Sequence, residues 1–468
     1  RELKINSGKI QFLSVNSDLK YMKIKSTVTI LGLLVALRLF SQNPIIRDQF
    51  TADPTARVFN GKIYVFPSHD IISPIEPERK WFSMGDYHVF SSENLVDWTD
   101  HGVIVTQNKI PWVLEDSYAM WAPDAVEKDG KYYFYFPAAP KPEYGRGFMI
   151  GVAVADRPEG PYTPLEKPIA GAIGIDPNVF IDKDGQAYLY WSGGGMWVAK
   201  LKPNMIELDG ERQQVQGLPA SGGLKEGPFL FERNGIYYYT YPWVKNNTTE
   251  LLYYCMSDNP IGPFRDGGVI MDESPTGCWT NHHSFVEFKN QWYLFYHHND
   301  FSPDFDKNRS IRIDSVRFNP DGIIQKIIPT LRGVGLTNAK KKIELDRYSS
   351  ISSDSTVLVT FINPANKFEG WKTIFKEEGA WIRYNSVDFG SGNLRKAKVR
   401  VNSMRGGTLT VCTRKNDIDN VIAKIEVPPS RRWSVLEFDL QKQAKGVQDL
   451  FMKLEGSNPV QVDWISFE

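Results

Sequence analysis

Apolar and polar positions alternate with a period of two over most of the chain, and one phrase recurs five times: an apolar strand, a polar turn usually holding glycine, then a second strand with tyrosine at a fixed place. The copies are 57–66 (RVFNGKIYVF), 125–136 (AVEKDGKYYFYF), 178–191 (NVFIDKDGQAYLYW), 229–241 (FLFERNGIYYYTY) and 284–296 (SFVEFKNQWYLFY). Alternation and turn chemistry make each a β-hairpin. The aligned tyrosines, Tyr64, Tyr133, Tyr188, Tyr238 and Tyr293, recur every 50 to 69 residues, which suits one blade of about four strands per repeat. A second phrase, DRPEGPY at 156–162 and DNPIGPF at 258–264, supplies the turn to an outer strand. With no long amphipathic helical pattern in competition, five near-equal units predict an all-β, five-bladed propeller rather than a sandwich of similar strands.

That geometry carries a functional expectation. The first strand of each blade lines the central channel, so the residues just before each repeated strand converge near one end of the axis. Those positions hold Asp53, Trp121 to Asp124, Asp176, Glu226 and His282. Taken singly, Asp53-Pro54 and Asp176-Pro177 read as turn formers, and Glu226 as a solvated loop charge. Their recurrence at equivalent places in three blades is what a turn alone does not require. Facing carboxyls are what cleavage of a glycosidic bond needs, an acid for the leaving oxygen and a base for water on the opposite face. A third carboxylate keeps the acid protonated by like-charge repulsion.

Length and composition adjust the picture. At 468 residues the chain is expected to hold two cores. Lysine plus arginine and aspartate plus glutamate both count 55, which leaves no net field for nucleic acid or anionic lipid and favours a neutral partner. Aromatics reach 13%, with faces that fill β cores and also stack on sugar rings. From Met22 a charged start, an apolar run to Phe40 and a polar exit read as a secretory signal, too short for a membrane span, so the product is expected outside the cell or in the periplasm. Cys255, Cys278 and Cys412 lack metal-ligand spacing, with a Cys255–Cys278 bridge left open. Domains are expected at 43–335 and 343–468, after an upstream segment 1–42, in a monomer.

At these residues the chain resembles glycoside hydrolase family 43, through Ala-Asp-Pro at 52–54, Trp-Ala-Pro-Asp at 121–124, Ile-Asp-Pro at 175–177, Lys-Glu-Gly-Pro at 225–228 and the histidine-serine phrase at 282–284. The resemblance implies an inverting glycosidase with Asp53 as general base, Glu226 as general acid and Asp176 tuning that acid. It implies a hydrated calcium or similar ion at His282, and a late arginine region at Arg309 and Arg312, with Arg312 either a substrate contact or a surface ion pair. Trp121 and Trp81 would be apolar walls of the sugar subsite or blade packing, with Asp124 beside them. No cofactor is implied for catalysis. The substrate is expected to be a plant-type polysaccharide, arabinoxylan or arabinan by preference and galactan otherwise. A non-catalytic carbohydrate-binding propeller is the rival of another class, which the intact Asp53, Asp176 and Glu226 oppose.

The second segment alternates at 381–389, 396–401, 408–413 and 433–440, which predicts a β-sandwich. It resembles a family 6 carbohydrate-binding module through 343–348 (IELDRY), 379–384 (GAWIRY), Trp433 and 462–467 (VDWISF). The resemblance implies a sugar clamped by Phe375 and Trp433 and hydrogen-bonded by Asn458, with structural calcium on Glu344, Asp346 and Asp463. A module that only packs on the propeller is the alternative.

Overall fold

The computed structural model describes residues 43–468 apart from Arg79, Asn247 and 416–417; the expected export signal lies outside the described residues. Five antiparallel sheets follow in chain order. Blade 1 comprises β1 (Phe50–Phe59), β2 (Lys62–Asp70), β3 (Asp86–Ser92) and β4 (Thr99–Thr106). Blade 2 comprises β5 (Asp124–Lys128), β6 (Lys131–Ala138), β7 (Met149–Ala155) and β8 (Thr163–Pro164). Blade 3 comprises β9 (Ile175–Ile181), β10 (Ala187–Ser192), β11 (Met196–Leu201) and β12 (Leu208–Gln214). Blade 4 comprises β13 (Phe229–Arg233), β14 (Ile236–Trp243), β15 (Leu251–Ser257) and β16 (Arg265–Met271). Blade 5 has β17 (His283–Phe288), β18 (Gln291–His298) and β19 (Ser310–Val316).

The innermost strands touch in a closed cycle, β1 to β5, β5 to β9, β9 to β13, β13 to β17 and β17 to β1, which makes the sheets a five-bladed propeller. The inner hairpins close as the turn residues dictate. Asn60-Gly61, Asp129-Gly130, Asn234-Gly235 and Lys289-Asn290 all take positive φ at both positions, the type I′ geometry that matches strand twist. The repeated tyrosines fall in the second strand of each blade. Apolar faces of neighbouring blades pack together; Ala56, Ile63, Val65 and Phe90 of blade 1 meet Val286, Phe295, Ile311 and Ile313 of blade 5. The ring is fastened by the segment before β1, where the Ile45 amide donates to the Ile311 carbonyl at 2.9 Å. Asn43 mimics a peptide group there, its side chain accepting from the Ile313 amide at 2.8 Å and donating to the Ile313 carbonyl at 3.0 Å.

Beyond the propeller, two six-stranded sheets form a sandwich. One contains Thr337–Asn338, Trp381–Asp388, Val447–Glu455, Gly407–Lys415 and Ile418–Val427; the other contains Val357–Phe361, Trp371–Phe375, Val460–Phe467, Lys396–Asn402 and Ser434–Asp439. Their inner faces share a core that includes Phe375, Ile382, Val399, Leu409, Met452 and Ile465. The sandwich packs directly on the propeller: the Phe301 ring lies 4.6 Å from Trp371, Phe50 lies 5.1 Å from Phe368, and Lys341 pairs with Asp97 at 2.8 Å. All three cysteines are free, so the open question of a Cys255–Cys278 bridge closes against it.

Candidate active site

Asp53 and Asp176 reach the channel mouth by the same local device. Each sits in its blade's innermost strand at positive φ, 47° and 56°, followed by proline, beside a register shift of the ladder. Such a bulge turns a side chain out of the pleat, and proline after it gives up no ladder hydrogen bond. Glu226 arrives from the segment entering β13, where Gly227 adopts φ 55°. A Cβ on Gly227 would lie 2.9 Å from Pro242 Cγ and 3.2 Å from His282 Nε2, so only glycine lets this backbone approach. Its amide donates to Asp176 Oδ2 at 3.0 Å, tying the Glu226 segment to Asp176.

Asp53, Asp176, Glu226, His282, Trp121 and Trp81 line one cavity of about 220 Å³, with Phe82, Trp279, Thr280 and Arg309. Arg309 forks onto Asp53, Nη1 to Oδ1 at 2.7 Å and Nη2 to Oδ2 at 3.1 Å, while its other edge bonds Asp70 at 2.9 and 3.0 Å. Ser68 donates to Asp53 Oδ2 at 2.7 Å, and the Asp53 amide donates to His297 Nδ1 at 3.0 Å. Burial pushes the Asp53 carboxyl up, but Arg309, His297, His282 and Ser68 outweigh it and hold the group down at about 2. The opposite wall behaves differently. Burial, then Glu226 and Asp53, push Asp176 well above the carboxylate range. Glu226 is also raised, by burial first. Behind it lies Glu250, fully buried at the head of β15 and accepting from the Asn281 amide at 2.9 Å. Burial and then Glu226 push Glu250 well up, and Glu250 in turn pulls Glu226 down against the effect of burial. The pocket thus holds a carboxyl drawn down by its arginine on one side and carboxyls pushed up by burial on the other, the split that acid–base catalysis at one bond needs.

Two expected substrate contacts lie elsewhere. Asp124 is fully buried, bonded to Arg57 at 2.6 and 2.7 Å, Asn178 Nδ2 at 3.0 Å and the Val179 amide at 2.6 Å. It fastens the inner strands of blades 1, 2 and 3, and no sugar reaches it. Arg312 is buried against Asp300, with Nε to Oδ2 at 3.0 Å. Three positions separate it from Arg309, so in an extended strand the two point to opposite faces; only Arg309 enters the pocket. Asp70, Glu250, His297, Thr280 and Ser68 were absent from the expectation. Their sequence signals are slight, an acid ending β2 and an acid just before β15.

The metal expectations divide. His282 faces the pocket as a neutral imidazole, its protonation pushed down to about 4 by burial and by Arg309. Its neighbours are the Asp53 carboxylate, Nδ1 to Oδ1 at 3.8 Å, and the guanidinium that already neutralises it. One nitrogen beside a fixed cation does not fit a calcium site. In the sandwich Glu344, Asp346 and Asp463 are all buried, with Asp346 ion-paired to Arg347 at 2.7 Å and Asp463 to Arg400. Burial first, then Asp346 and Asp463, push Glu344 up to about 8 against the pull of Arg47. These are hard oxygen donors of the type calcium takes, and a cation there would share them with the Arg347 and Arg400 guanidiniums.

The sugar clamp expected in the sandwich is not assembled. Phe375 is fully buried in its core, and the Trp433 face is covered by the Arg400 guanidinium at 5.0 Å. Asn458 is half-buried in the loop before Val460–Phe467.

Comparison with known proteins agrees with this layout. The family model for glycosyl hydrolases family 43 matches residues 41–324, and that for carbohydrate binding module family 6 matches 351–468. Xylosidase/arabinosidase 43A of Humicola insolens is 38% identical over 332 residues, covering 60% of this chain and 98% of the relative. An arabinoxylan arabinofuranohydrolase of Bacillus subtilis (strain 168) is 28% identical over 491 residues, covering 92% and 93%. Among solved structures, a β-xylosidase/α-arabinofuranosidase from a compost metagenome, in complex with xylotriose, is 36% identical with TM-score 0.57, covering 62% of this chain and 98% of that one.

Proposed function

The chain belongs to glycosyl hydrolase family 43, and from that premise we propose that it removes single arabinosyl or xylosyl residues from arabinoxylan-type polysaccharide with inversion at the anomeric carbon. The observation that carries this reading is a pair of adjoining spaces. The 220 Å³ cavity holding the acids opens into a cleft of about 900 Å³, and the two share Trp121, Ile175, Leu224 and Glu226. The closed space suits one sugar. Glu226, the group that gives its proton to the leaving oxygen, stands at the boundary, so the leaving chain lies in the open cleft, where a polymer fits. The names of relatives as xylosidase/arabinosidase and arabinoxylan arabinofuranohydrolase support the same sugars.

In this mechanism Asp53, held ionised and in one orientation by Arg309 and Ser68, takes a proton from water as the water attacks the anomeric carbon. Glu226 protonates the departing oxygen from the other side. Asp176, bonded to the Gly227 amide, fixes the Glu226 segment, while burial first and then the Asp53 charge raise the acid itself. No step uses a cofactor.

Two further proposals attach. Glu344, Asp346 and Asp463 hold a structural calcium in the module. The apolar run before Phe40 exports the chain to the periplasm or beyond, since a polysaccharide substrate does not cross the membrane.

The activity is tested with arabinosyl, xylosyl and galactosyl aryl-glycosides and with arabinoxylan. Asp53→Ala is expected to cost about 10²–10⁴-fold in kcat. Glu226→Ala is expected to lose as much on the polymer but to recover on an aryl-glycoside whose leaving group needs no proton. Soluble glycan binding without turnover of any substrate would overturn the hydrolase reading.

A further inference from the structure

Outside the catalytic pocket, blade 1 carries a second cluster of donor groups. His69 on β2 and Asp86 and His88 on β3 each offer one ligand atom, and these atoms all lie within 4.8 Å of one another. We propose that they form a binding site for a late-transition divalent cation, with zinc as the fitting member.

Three observations argue for it. First, the donor set is two imidazole nitrogens and one carboxylate oxygen, the chemistry that zinc, copper and nickel prefer over calcium or magnesium. Second, the spacing suits it. Asp86 Oδ1 lies 2.7 Å from His69 Nδ1 and 4.0 Å from His88 Nε2. Those distances straddle the roughly 3.4 Å between ligand atoms of a tetrahedral ion with bonds of about 2.0–2.2 Å. Third, His88 is prepared as a ligand. Its Nδ1 lies 3.1 and 3.2 Å from the Asp100 carboxylate, an acceptor, which holds the ring with Nε2 turned toward Asp86. Asp100 is itself held, accepting from the Gly102 amide at 2.7 Å and from Gln49 Nε2 at 3.2 Å.

The placement gives the ion a structural task. β2, β3 and β4 are neighbours, and the register opposes Ser68 to Tyr87, which sets His69 beside Asp86. The residue after His69 is Asp70, which grips Arg309 in the catalytic pocket. A cation fastening these strands steadies that grip without touching substrate.

The test uses the full chain, free of any histidine tag and stripped with chelator, titrated with zinc chloride in a calorimeter and followed by thermal melting. One zinc per chain and a raised melting temperature are expected. His88→Ala abolishes both, and Asp100→Asn weakens binding about 10- to 100-fold. The Asp100→Asn variant retains every proposed ligand, so it reports even where His88→Ala fails to fold. Absence of zinc binding by the wild-type chain, or binding that neither substitution changes, overturns the proposal.

Discussion

Arg309 decides which acid of the pocket is charged. Asp53 and Asp176 are buried to the same degree, but only Asp53 receives the guanidinium fork, and the two carboxyls are driven in opposite directions. Removing that fork leaves burial unopposed at Asp53, so its pKa rises. A base must be ionised to act; the acid limb of the kcat/KM profile therefore moves to higher pH in Arg309→Gln, by roughly 1–3 units. Pairing the change with Asp70→Asn avoids leaving a second buried carboxylate uncompensated. An acid limb that stays in place would show that Asp53 is not the group being read.

Across elements, Asp124 ties three blades together, joining β1 through Arg57 and β9 through Asn178 and the Val179 amide. Asp124→Asn strands the Arg57 charge and is expected to cost about 3–5 kcal/mol of stability in denaturant unfolding, with kcat on an aryl-glycoside unchanged. A lost kcat with stability intact would restore it as a substrate contact. Here lies the boundary of what the chain's pattern tells in advance. Hairpins and their turns are local, so glycine and asparagine spacing announces them, and the bulged Asp-Pro pairs announce Asp53 and Asp176. Glu250 and Asp70 escape notice because they enter from second and third strands, where only the folded sheet shows what they face. Phe375 misleads for a related reason. In Trp371–Phe375 the first, third and fifth positions are buried, so the resemblance that makes Phe375 a clamp conflicts with the alternation that puts it inside.

At the scale of the whole molecule, propeller and sandwich meet through the Phe301–Trp371 and Phe50–Phe368 contacts, with Arg47 of the propeller acting on Glu344 of the sandwich. The proposed calcium lies beside that seam. A calcium-selective chelator is expected to lower the melting temperature, added calcium to restore it, and Asp346→Asn to be insensitive to both. A melting curve indifferent to calcium would leave Arg47, Arg347 and Arg400 as the counter-charge of these carboxyls.

The fastening of the ring by Asn43 has a consequence in time. Its partners, Ile313 and the Leu331 carbonyl, lie at the far end of the propeller. As the chain folds from its N-terminal side, therefore, blades 1 to 4 can pair internally while the strap at 43–46 waits with its polar groups in water. Only when the chain as far as Leu331 is free to fold can the circle shut, and until then the β1 face that will meet blade 5 stands open to whatever chaperone or neighbouring chain reaches it first.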